Sequence, residues 1–446
     1  MINKFKKKLG KDAHLKELLT GSAVTFVIKI TGMLIGYLVV LLISRKYGAE
    51  GVGLYGLTSK LLNSLAILGC LGMNISVLRY VGQFAKNANA PAWLKQLYGH
   101  ITAFAFPFSV VVGIGLYFSA EIIALQLFEN TTYIPALKIS AFALPFFTIN
   151  LINVEFIRGL KLLRVSEYLR SINRQLVIIV LLGLSVFSYG ILDSVYALVV
   201  GLLLTFVFSM GFIIRYFKKN KAKPILEKGL TKKELLGTSM PMMTTAVASF
   251  VLANVGAVFL EIYSTTDQVG IFNVALRLAQ LVSLVLVVVN TISGPKFAEL
   301  YWAGKLKELK RVIRQSSKLI FWVSLVISGI LILFSNFFLN FFGEEFRTGS
   351  MALIILIFGQ MINAMAGSVG IFLNMSGNQK MLRNFIVLTS IIVLAGNFVL
   401  IPIYGIIGVA IATSIGSLII NLTCVIFIYR KMKIKTFYLP FLKFKS

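Results

Sequence analysis

The sequence contains few of the side chains on which enzymes depend. It has only two cysteines, two histidines and 16 acidic residues in a chain of 446. Cys70 and Cys424 each stand alone in an apolar stretch, which argues against a disulfide framework or a metal site. No G-x-x-x-x-G-K-[ST] loop is present, and no serine, cysteine or histidine is grouped with a supporting acid. We therefore expect a protein that is not an enzyme and needs no cofactor.

Charge is also scarce. Charged residues make up 13% of the chain, hydrophobic residues make up 58%, and the mean hydropathy is +0.88. This composition is typical of an integral membrane protein. A helix needs about 20 apolar residues to cross roughly 30 Å of hydrocarbon, and twelve stretches satisfy this requirement. The predicted spans are residues 20–44, 54–78, 99–120, 133–157, 172–191, 194–214, 238–262, 269–294, 319–341, 349–373, 382–402 and 405–429.

The charge that is present has one dominant sign. Lysine and arginine total 44, which gives a formal net charge of +28. Most of these cations fall in the two terminal segments and in the loops that follow even-numbered spans. Because basic residues are retained on the cytoplasmic side, we predict that both termini are cytoplasmic. This topology explains the basicity without a nucleic-acid partner, and basic loops such as 215–234 can also hold anionic membrane lipids.

Two segments 217 residues apart are almost the same: KELLTGSA at 16–23 and KELLGTSM at 233–240. The same offset pairs Lys60 with Arg277, so an intramembrane cation recurs in register. Further matches at this or a nearly equal offset are Glu50 with Asp267, Gly53 with Gly270, Arg79 with Lys296, and SYGI (188–191) with IYGI (403–406). The pattern predicts an internal repeat of two six-helix halves.

An even number of helices in each half means that both halves enter the bilayer from the same side. The predicted pseudo-twofold axis therefore runs along the membrane normal, as in transporters built from parallel repeats. In such proteins the substrate binds between the two lobes near mid-membrane, and access to it alternates. The predicted divisions are a basic amino-terminal segment (1–19), an N-lobe (20–214), a basic linker (215–235), a C-lobe (236–429) and a basic tail (430–446).

Three cations lie more than five residues from either end of a predicted span: Lys29, Lys60 and Arg277. A Lys or Arg at the centre of a bilayer costs about 2.5–3.5 kcal/mol on insertion scales, so such residues usually face a cavity or a partner. Lys29 lies near the middle of its predicted span. Lys60 and Arg277 lie about two turns from the outer helix ends, where the alternative is that their side chains reach the headgroups. Their matching positions favour a central cavity.

Acids that could neutralise these cations are few. We count Glu155 as the single acid within a span, and Arg158 three residues later is spaced to form a local structural pair with it; a proton relay is the alternative role. A cavity with excess positive charge suits an anion, because Lys and Arg donate charge-assisted hydrogen bonds to phosphate oxygens. The in-span amides Asn254 and Asn290 suit either hydrogen bonds between helices or contacts with sugar hydroxyls.

Several stretches of the chain resemble one family in their order and position. They are GAEGVGLYGL (48–57), TTDQVGIFNVALRL (265–278), FFGEEF (341–346) and LNMSGNQKMLRN (373–384). Together they are similar to the polysaccharide flippases of the multidrug/oligosaccharidyl-lipid/polysaccharide exporter (MOP) superfamily. The resemblance implies a V-shaped pair of lobes in the bacterial cytoplasmic membrane. It also implies the transfer of undecaprenyl-diphosphate-linked oligosaccharides from the inner to the outer leaflet.

The related lipid II flippases carry functional basic residues on helices 1, 2 and 8, the helices that hold Lys29, Lys60 and Arg277 here. Those flippases usually add two carboxy-terminal helices, so twelve spans favour a substrate of the O-antigen or capsule type. Candidate protein partners are a polysaccharide polymerase and the chain-length machinery. The alternatives are a proton- or sodium-coupled exporter of small molecules and a membrane-embedded glycan ligase or polymerase. The exporter requires acids in the cavity, and the ligase or polymerase requires a large catalytic outer loop.

Overall fold

The computed structural model describes residues 13–84, 90–220 and 232–438. Every regular element in these ranges is helical, which confirms the predicted all-α class. Parts of three predicted basic segments lie outside the described residues. They are residues 1–12 of the amino-terminal segment, 221–231 of the linker and 439–446 of the tail.

Fourteen α-helices follow one another in the described ranges. They are α1 (Ala13–Gly69), α2 (Met73–Phe84), α3 (Ala90–Ile122), α4 (Tyr133–Gly159), α5 (Leu163–Tyr168), α6 (Arg174–Gly183), α7 (Asp193–Lys219), α8 (Lys232–Tyr263), α9 (Thr266–Trp302), α10 (Leu306–Leu333), α11 (Ser335–Asn340), α12 (Ser350–Ala366), α13 (Val369–Met375) and α14 (Gln379–Met432). Two π-helical turns, Ile123–Leu127 and Leu169–Asn173, extend α3 and join α5 to α6. Two 3₁₀ turns, Gly190–Leu192 and Glu344–Gly349, precede α7 and α12.

The two longest helices are each broken by a glycine. Element α1 has 57 residues and α14 has 54, more than twice the roughly 20 residues that one helix needs to cross a bilayer. Gly48 in α1 has φ 66° and ψ −165°, and Gly405 in α14 has φ 52° and ψ −128°. Residues with a side chain rarely adopt these angles. Each break separates two predicted spans, so α1 and α14 each consist of two helices, one for each span.

Eight stretches of the described helices are long and apolar enough to cross a membrane. They are Val27–Gly69, Pro91–Leu127, Tyr133–Gly159, Gly190–Lys219, Thr266–Asn290, Leu306–Leu333, Glu344–Ala366 and Gln379–Met432. These helices establish a multi-pass membrane protein. The count of twelve spans and the cytoplasmic placement of both termini stay predictions.

Two predicted boundaries are wrong for identifiable reasons. The span predicted at 172–191 begins earlier, with α5 and its π turn, and α6 ends at Gly183. The chain turns at Ser185, which has φ 48°. Several of the residues that follow are still apolar, so hydropathy alone extended the predicted span too far. The span predicted at 54–78 is interrupted after Gly69, because Leu71 and Gly72 both have positive φ.

Gly72 also permits a close approach between backbones. A Cβ atom at this position would lie 2.1 Å from the carbonyl oxygen of Ser239 and 2.7 Å from the amide nitrogen of Met243. Both of these residues belong to α8. The neighbouring Ser76 and Ser239 share a buried hydrogen bond of 2.8 Å. The start of α8 therefore packs directly on the turn between α1 and α2.

The helices form two compact units, Met1–Val247 and Ala248–Ser446. The core of the first unit is built around aromatic residues of three helices, with Tyr98, Phe156 and Phe217 in edge-to-face and tilted contact. The core of the second unit centres on Phe297 and Phe372, whose rings also meet edge to face. Each unit thus has its own apolar interior.

The breaks in the two units follow the internal repeat. SYGI (188–191) and IYGI (403–406) each place their glycine at positive φ, 67° for Gly190 and 52° for Gly405. Gly48 and Thr265, which are 217 residues apart, both mark the point where one long helical stretch gives way to the next. Matched sequence therefore coincides with matched local geometry.

Candidate functional site

Lys60 and Arg277 occupy equivalent positions in their helices. Each follows its helix break by 12 residues, Lys60 after Gly48 and Arg277 after Thr265. At 1.5 Å per residue this distance is about 18 Å along the helix axis. Both side chains are half-buried. The helices begin earlier than predicted, so both cations lie farther from the starts of their helices than the sequence suggested.

Lys29 lies in α1, 19 residues before Gly48, and is also half-buried. Gly32, three residues later, is packed so closely that a Cβ atom there would lie 2.6 Å from the Cβ of Ser171. Residues three apart share one face of a helix. Lys29 therefore lies on the face of α1 that turns toward the π turn Leu169–Asn173 of the first unit.

The two amides predicted to contact substrate are both in the second unit. Asn254 in α8 and Asn290 in α9 are half-buried. The side-chain oxygen of Asn290 is shielded from solvent and accepts no hydrogen bond from the described residues. Asn290 therefore has hydrogen-bonding capacity that the protein itself does not use.

Glu155 of α4 is at the centre of an ion-pair cluster. Its Oε2 lies 3.6 Å from Nη1 of Arg158, the neighbour expected from helical spacing. Its Oε1 accepts a hydrogen bond of 2.5 Å from Nη2 of Arg170 in the π turn Leu169–Asn173. The Arg170 contact is the shorter of the two, and a local pattern could not reveal it, because it forms between different elements.

A cavity of about 270 Å³ lies beside this cluster, within the first unit. Its polar lining residues are Asn63, Asn74, Asn150, Glu155, Arg170, Arg174 and Thr205. Its apolar lining residues are Ile67, Phe147, Leu151, Val154, Leu169 and Leu202. The polar set comes from α1, α2, α4, α6, α7 and the π turn, so folding brings together residues that are far apart in the chain.

Four polar atoms in this lining have no hydrogen-bond partner among the described residues. They are Oδ1 of Asn74, Oδ1 of Asn150, Oε2 of Glu155 and Nε of Arg174, and each is shielded from solvent. A buried polar group without a partner costs about 1–3 kcal/mol. The two asparagines and Arg174 therefore keep two acceptors and one donor unpaired beside the cavity, whereas Oε2 of Glu155 still faces the guanidinium group of Arg158. The sequence analysis did not single out Asn150 or Arg174, although Arg174 lies within the predicted span 172–191 and is an in-span cation.

Buried acids are less scarce than the sequence analysis assumed. Glu261 lies inside the predicted span 238–262, so the count of Glu155 as the single acid within a span is wrong. In the structure Glu261 is in the last turn of α8 with 2% of its surface exposed. Its Oε1 accepts a hydrogen bond of 2.6 Å from the hydroxyl of Thr266. Glu167 in α5, expected to lie in a loop, is 1% exposed. Helix α5 packs against both α1 and α4.

The sequence matches the model of one protein family. The family described as "Polysaccharide biosynthesis protein" matches residues 18–301, which is more than half of the chain. No curated protein matches this chain in sequence.

Solved structures of transporters are similar in fold across nearly the whole chain. The lipid II flippase MurJ in an inward closed conformation superposes with a TM-score of 0.73 at 18% identity, covering 92% of this chain and 87% of that one. A multidrug-resistance MATE transporter of the MOP superfamily in an inward-facing conformation gives 0.70 at 14%, covering 93% and 98%. A MOP-superfamily transporter from Pyrococcus furiosus gives 0.66 at 14%, covering 94% and 95%. These likenesses establish the MOP transporter fold.

Proposed function

Because this chain belongs to the polysaccharide biosynthesis protein family, we propose that it is a lipid-linked oligosaccharide flippase of the bacterial cytoplasmic membrane. Its substrate would be an undecaprenyl-diphosphate-linked repeat unit, moved from the inner to the outer leaflet for surface polysaccharide synthesis. The observation that carries the proposal is the family match, together with a fold that is shared with a lipid II flippase.

The diphosphate is the part of this substrate that resists crossing. Two adjacent negative charges are costly in a medium of low dielectric constant, and fixed cations reduce that cost. We assign this role to Lys29, Lys60 and Arg277, with Arg277 able to bind phosphate oxygens bidentately. Their half-buried placement supports the assignment, since a fully exposed cation would be screened by solvent or headgroups.

In this proposal the polyprenyl tail stays in lipid while the glycan passes through a polar interior. Asn254 and Asn290 donate and accept hydrogen bonds with sugar hydroxyls, and the unused oxygen of Asn290 supports such a role. Alternating access then exposes the headgroup to the outer side. A triple variant, Lys29→Gln with Lys60→Gln and Arg277→Gln, tests the proposal in cells that depend on this protein.

We expect undecaprenyl-linked glycan to accumulate on the cytoplasmic face while the variant protein remains folded in the membrane. The matched control replaces two lysines and one arginine that are exposed: Lys95→Gln, Lys380→Gln and Arg430→Gln. This control should leave the surface glycan unchanged. Normal surface glycan in the first triple variant would contradict the proposed cationic path.

One observation favours a second candidate, a proton- or sodium-coupled exporter of small molecules. The buried carboxyl groups of Glu167 and Glu261 supply acids that such coupling requires. A Glu167→Gln variant separates the two functions. An exporter should lose ion-coupled efflux with lipid-linked glycan unaffected, whereas the flippase should show any defect as accumulated glycan.

A further inference from the structure

The cavity of the first unit contains polar side chains that have no role in the proposed diphosphate path. Building on the proposed function, we propose that this cavity binds a single sugar ring of the lipid-linked glycan. We expect Asn150 and Arg174 to form hydrogen bonds with the hydroxyl groups of this sugar. Asn150 is 5% exposed and lines the cavity with an oxygen that lacks a partner.

The unsatisfied atoms define what the occupant must offer. The side-chain oxygens of Asn74 and Asn150 lack a donor among the described residues, and Nε of Arg174 lacks an acceptor. A sugar hydroxyl donates one hydrogen bond and accepts up to two. Neighbouring hydroxyls on one sugar ring can therefore donate to the amide oxygens and accept from the arginine at the same time. The ring fixes the distance between these hydroxyls.

Simple ions match this set less well. Inorganic phosphate at neutral pH is mainly an acceptor, so it would leave the oxygens of Asn74 and Asn150 without a donor. A metal cation would satisfy the oxygens, but it would leave Nε of Arg174 unpaired and would be repelled by the guanidinium groups of Arg170 and Arg174. The arginines outnumber the one carboxylate of the lining, and Arg170 already neutralises Glu155.

The size and walls of the cavity also fit one ring. Its volume of about 270 Å³ is just below the roughly 300–1,000 Å³ of pockets that hold drug-sized ligands. A whole repeat unit of several sugars would not fit. Phe147, Leu151 and Val154 form an apolar wall that can contact the C–H face of a sugar, while the amides and arginines meet its polar edge.

Binding can be measured directly on the purified full chain in lipid nanodiscs. Saturation-transfer NMR would use glucose, galactose, N-acetylglucosamine and glucuronic acid as separate probes, with sodium chloride and inorganic phosphate as competitors. We expect at least one sugar to bind, and we expect Asn150→Leu to weaken its binding at least tenfold. Asn336→Leu, at an exposed asparagine of α11, is the matched control and should bind as the unmodified chain does.

A second variant protects the test against misfolding. If Asn150→Leu does not fold, Arg174→Gln removes the unpaired donor and should weaken the same sugar by a similar factor. The inference is overturned if none of the four sugars binds, which would mean a water-filled cavity. It is equally overturned if sodium or phosphate competes fully with the sugar, or if both variants bind as the unmodified chain does.

The same variants separate this inference from the proposed function. Under both, Asn150→Leu slows glycan transfer in cells, while Lys60→Gln slows transfer but keeps sugar binding in nanodiscs. If Asn150→Leu loses sugar binding but transfers glycan normally in cells, the cavity has no role in transport. If deleting the gene leaves surface glycan unchanged, the flippase proposal fails. The nanodisc measurement still shows whether the cavity binds a sugar.

Discussion

At the scale of single residues, a buried amide joins three helices of the first unit through hydrogen bonds. Asn153 of α4 is completely buried. Its Oδ1 accepts a hydrogen bond of 2.7 Å from the hydroxyl of Tyr98, and its Nδ2 donates one of 3.1 Å to the hydroxyl oxygen of Ser209. Three helices, α3, α4 and α7, are thus joined by one side chain whose polar atoms are both paired.

Removing one hydroxyl from this network should be costly. Tyr98→Phe leaves Oδ1 of Asn153 buried without that donor, so we expect the free energy of unfolding to fall by about 1–3 kcal/mol. Thermal unfolding of the purified protein in detergent measures the change. Tyr117→Phe removes a hydroxyl from an exposed ring and should leave the melting temperature almost unchanged. Equal effects of the two substitutions would show that the buried bond is unimportant.

The charge of Lys60, more than its shape, should matter for transport. Lys60→Gln should reduce the rate of lipid-linked glycan transfer at least tenfold, which corresponds to about 1.4 kcal/mol of lost stabilisation of the anion. Lys60→Arg keeps the charge and should retain most of the rate. A fluorescence assay of glycan transfer in vesicles measures both. A fully active Lys60→Gln variant would remove Lys60 from the proposed path.

At the scale of elements, glycine conformation decides where the longest helices end. Gly405 has φ 52°, and a Cβ atom built there would have no neighbour within 4 Å. Any cost of a side chain at this position therefore comes from the backbone angle and not from crowding. The break at Gly48 lies in a region that only glycine populates readily.

Gly405→Ala should lower the free energy of unfolding by about 1–3 kcal/mol, because alanine resists this backbone conformation. Gly115 in α3 is the matched control, since it also has no neighbour within 4 Å but has ordinary helical geometry. Gly115→Ala should be neutral or stabilising by up to about 1 kcal/mol. Unfolding of both variants under identical conditions compares them. A neutral Gly405→Ala would mean that the break is not strained.

The segment after α14 folds back onto the second unit. The hydroxyl of Ser317 donates a hydrogen bond of 2.8 Å to the carbonyl of Thr436, and the amide of Tyr438 donates one of 3.1 Å to the carbonyl of Met365. Ile434 is 1% exposed and belongs to the apolar core of this unit. The predicted basic tail therefore begins with a structural strap that contacts α10 and α12.

Shortening the buried side chain of this strap should destabilise the second unit. Ile434→Ala removes core contacts and should cost about 2–5 kcal/mol. Ile391→Ala changes an isoleucine that is 61% exposed and should cost far less. Proteolysis at increasing temperature reports the loss of structure in each variant. If the two isoleucines prove equally tolerant, the strap is dispensable for stability.

At the scale of the whole molecule, the predicted orientation rests on the distribution of basic residues. Thr131, between the π turn Ile123–Leu127 and α4, is predicted to face the outside. Ala303, between α9 and α10, is predicted to face the cytoplasm. Both positions are exposed, whereas the native Cys70 and Cys424 are buried and should not react with a polar reagent.

Single-cysteine labelling can therefore be done in the natural background. We expect a membrane-impermeant maleimide added to intact spheroplasts to label Thr131→Cys and to spare Ala303→Cys. Permeabilised cells should label both, which serves as the control for reactivity. The opposite pattern would invert the topology and would place both termini outside.

Hydropathy and charge were sufficient to predict an all-α membrane protein, because these signals are local or periodic. The MOP type was predicted from the resemblance of four stretches of sequence to that family. The 217-residue repeat placed Lys60 and Arg277 in equivalent positions, since a repeat preserves register. The tertiary structure decided what depends on contacts between distant elements. It paired Glu155 with Arg170, buried Glu167 and gathered Asn74, Asn150 and Arg174 around one cavity. Spacing along the chain carries no information about such contacts, because they form only when helices pack.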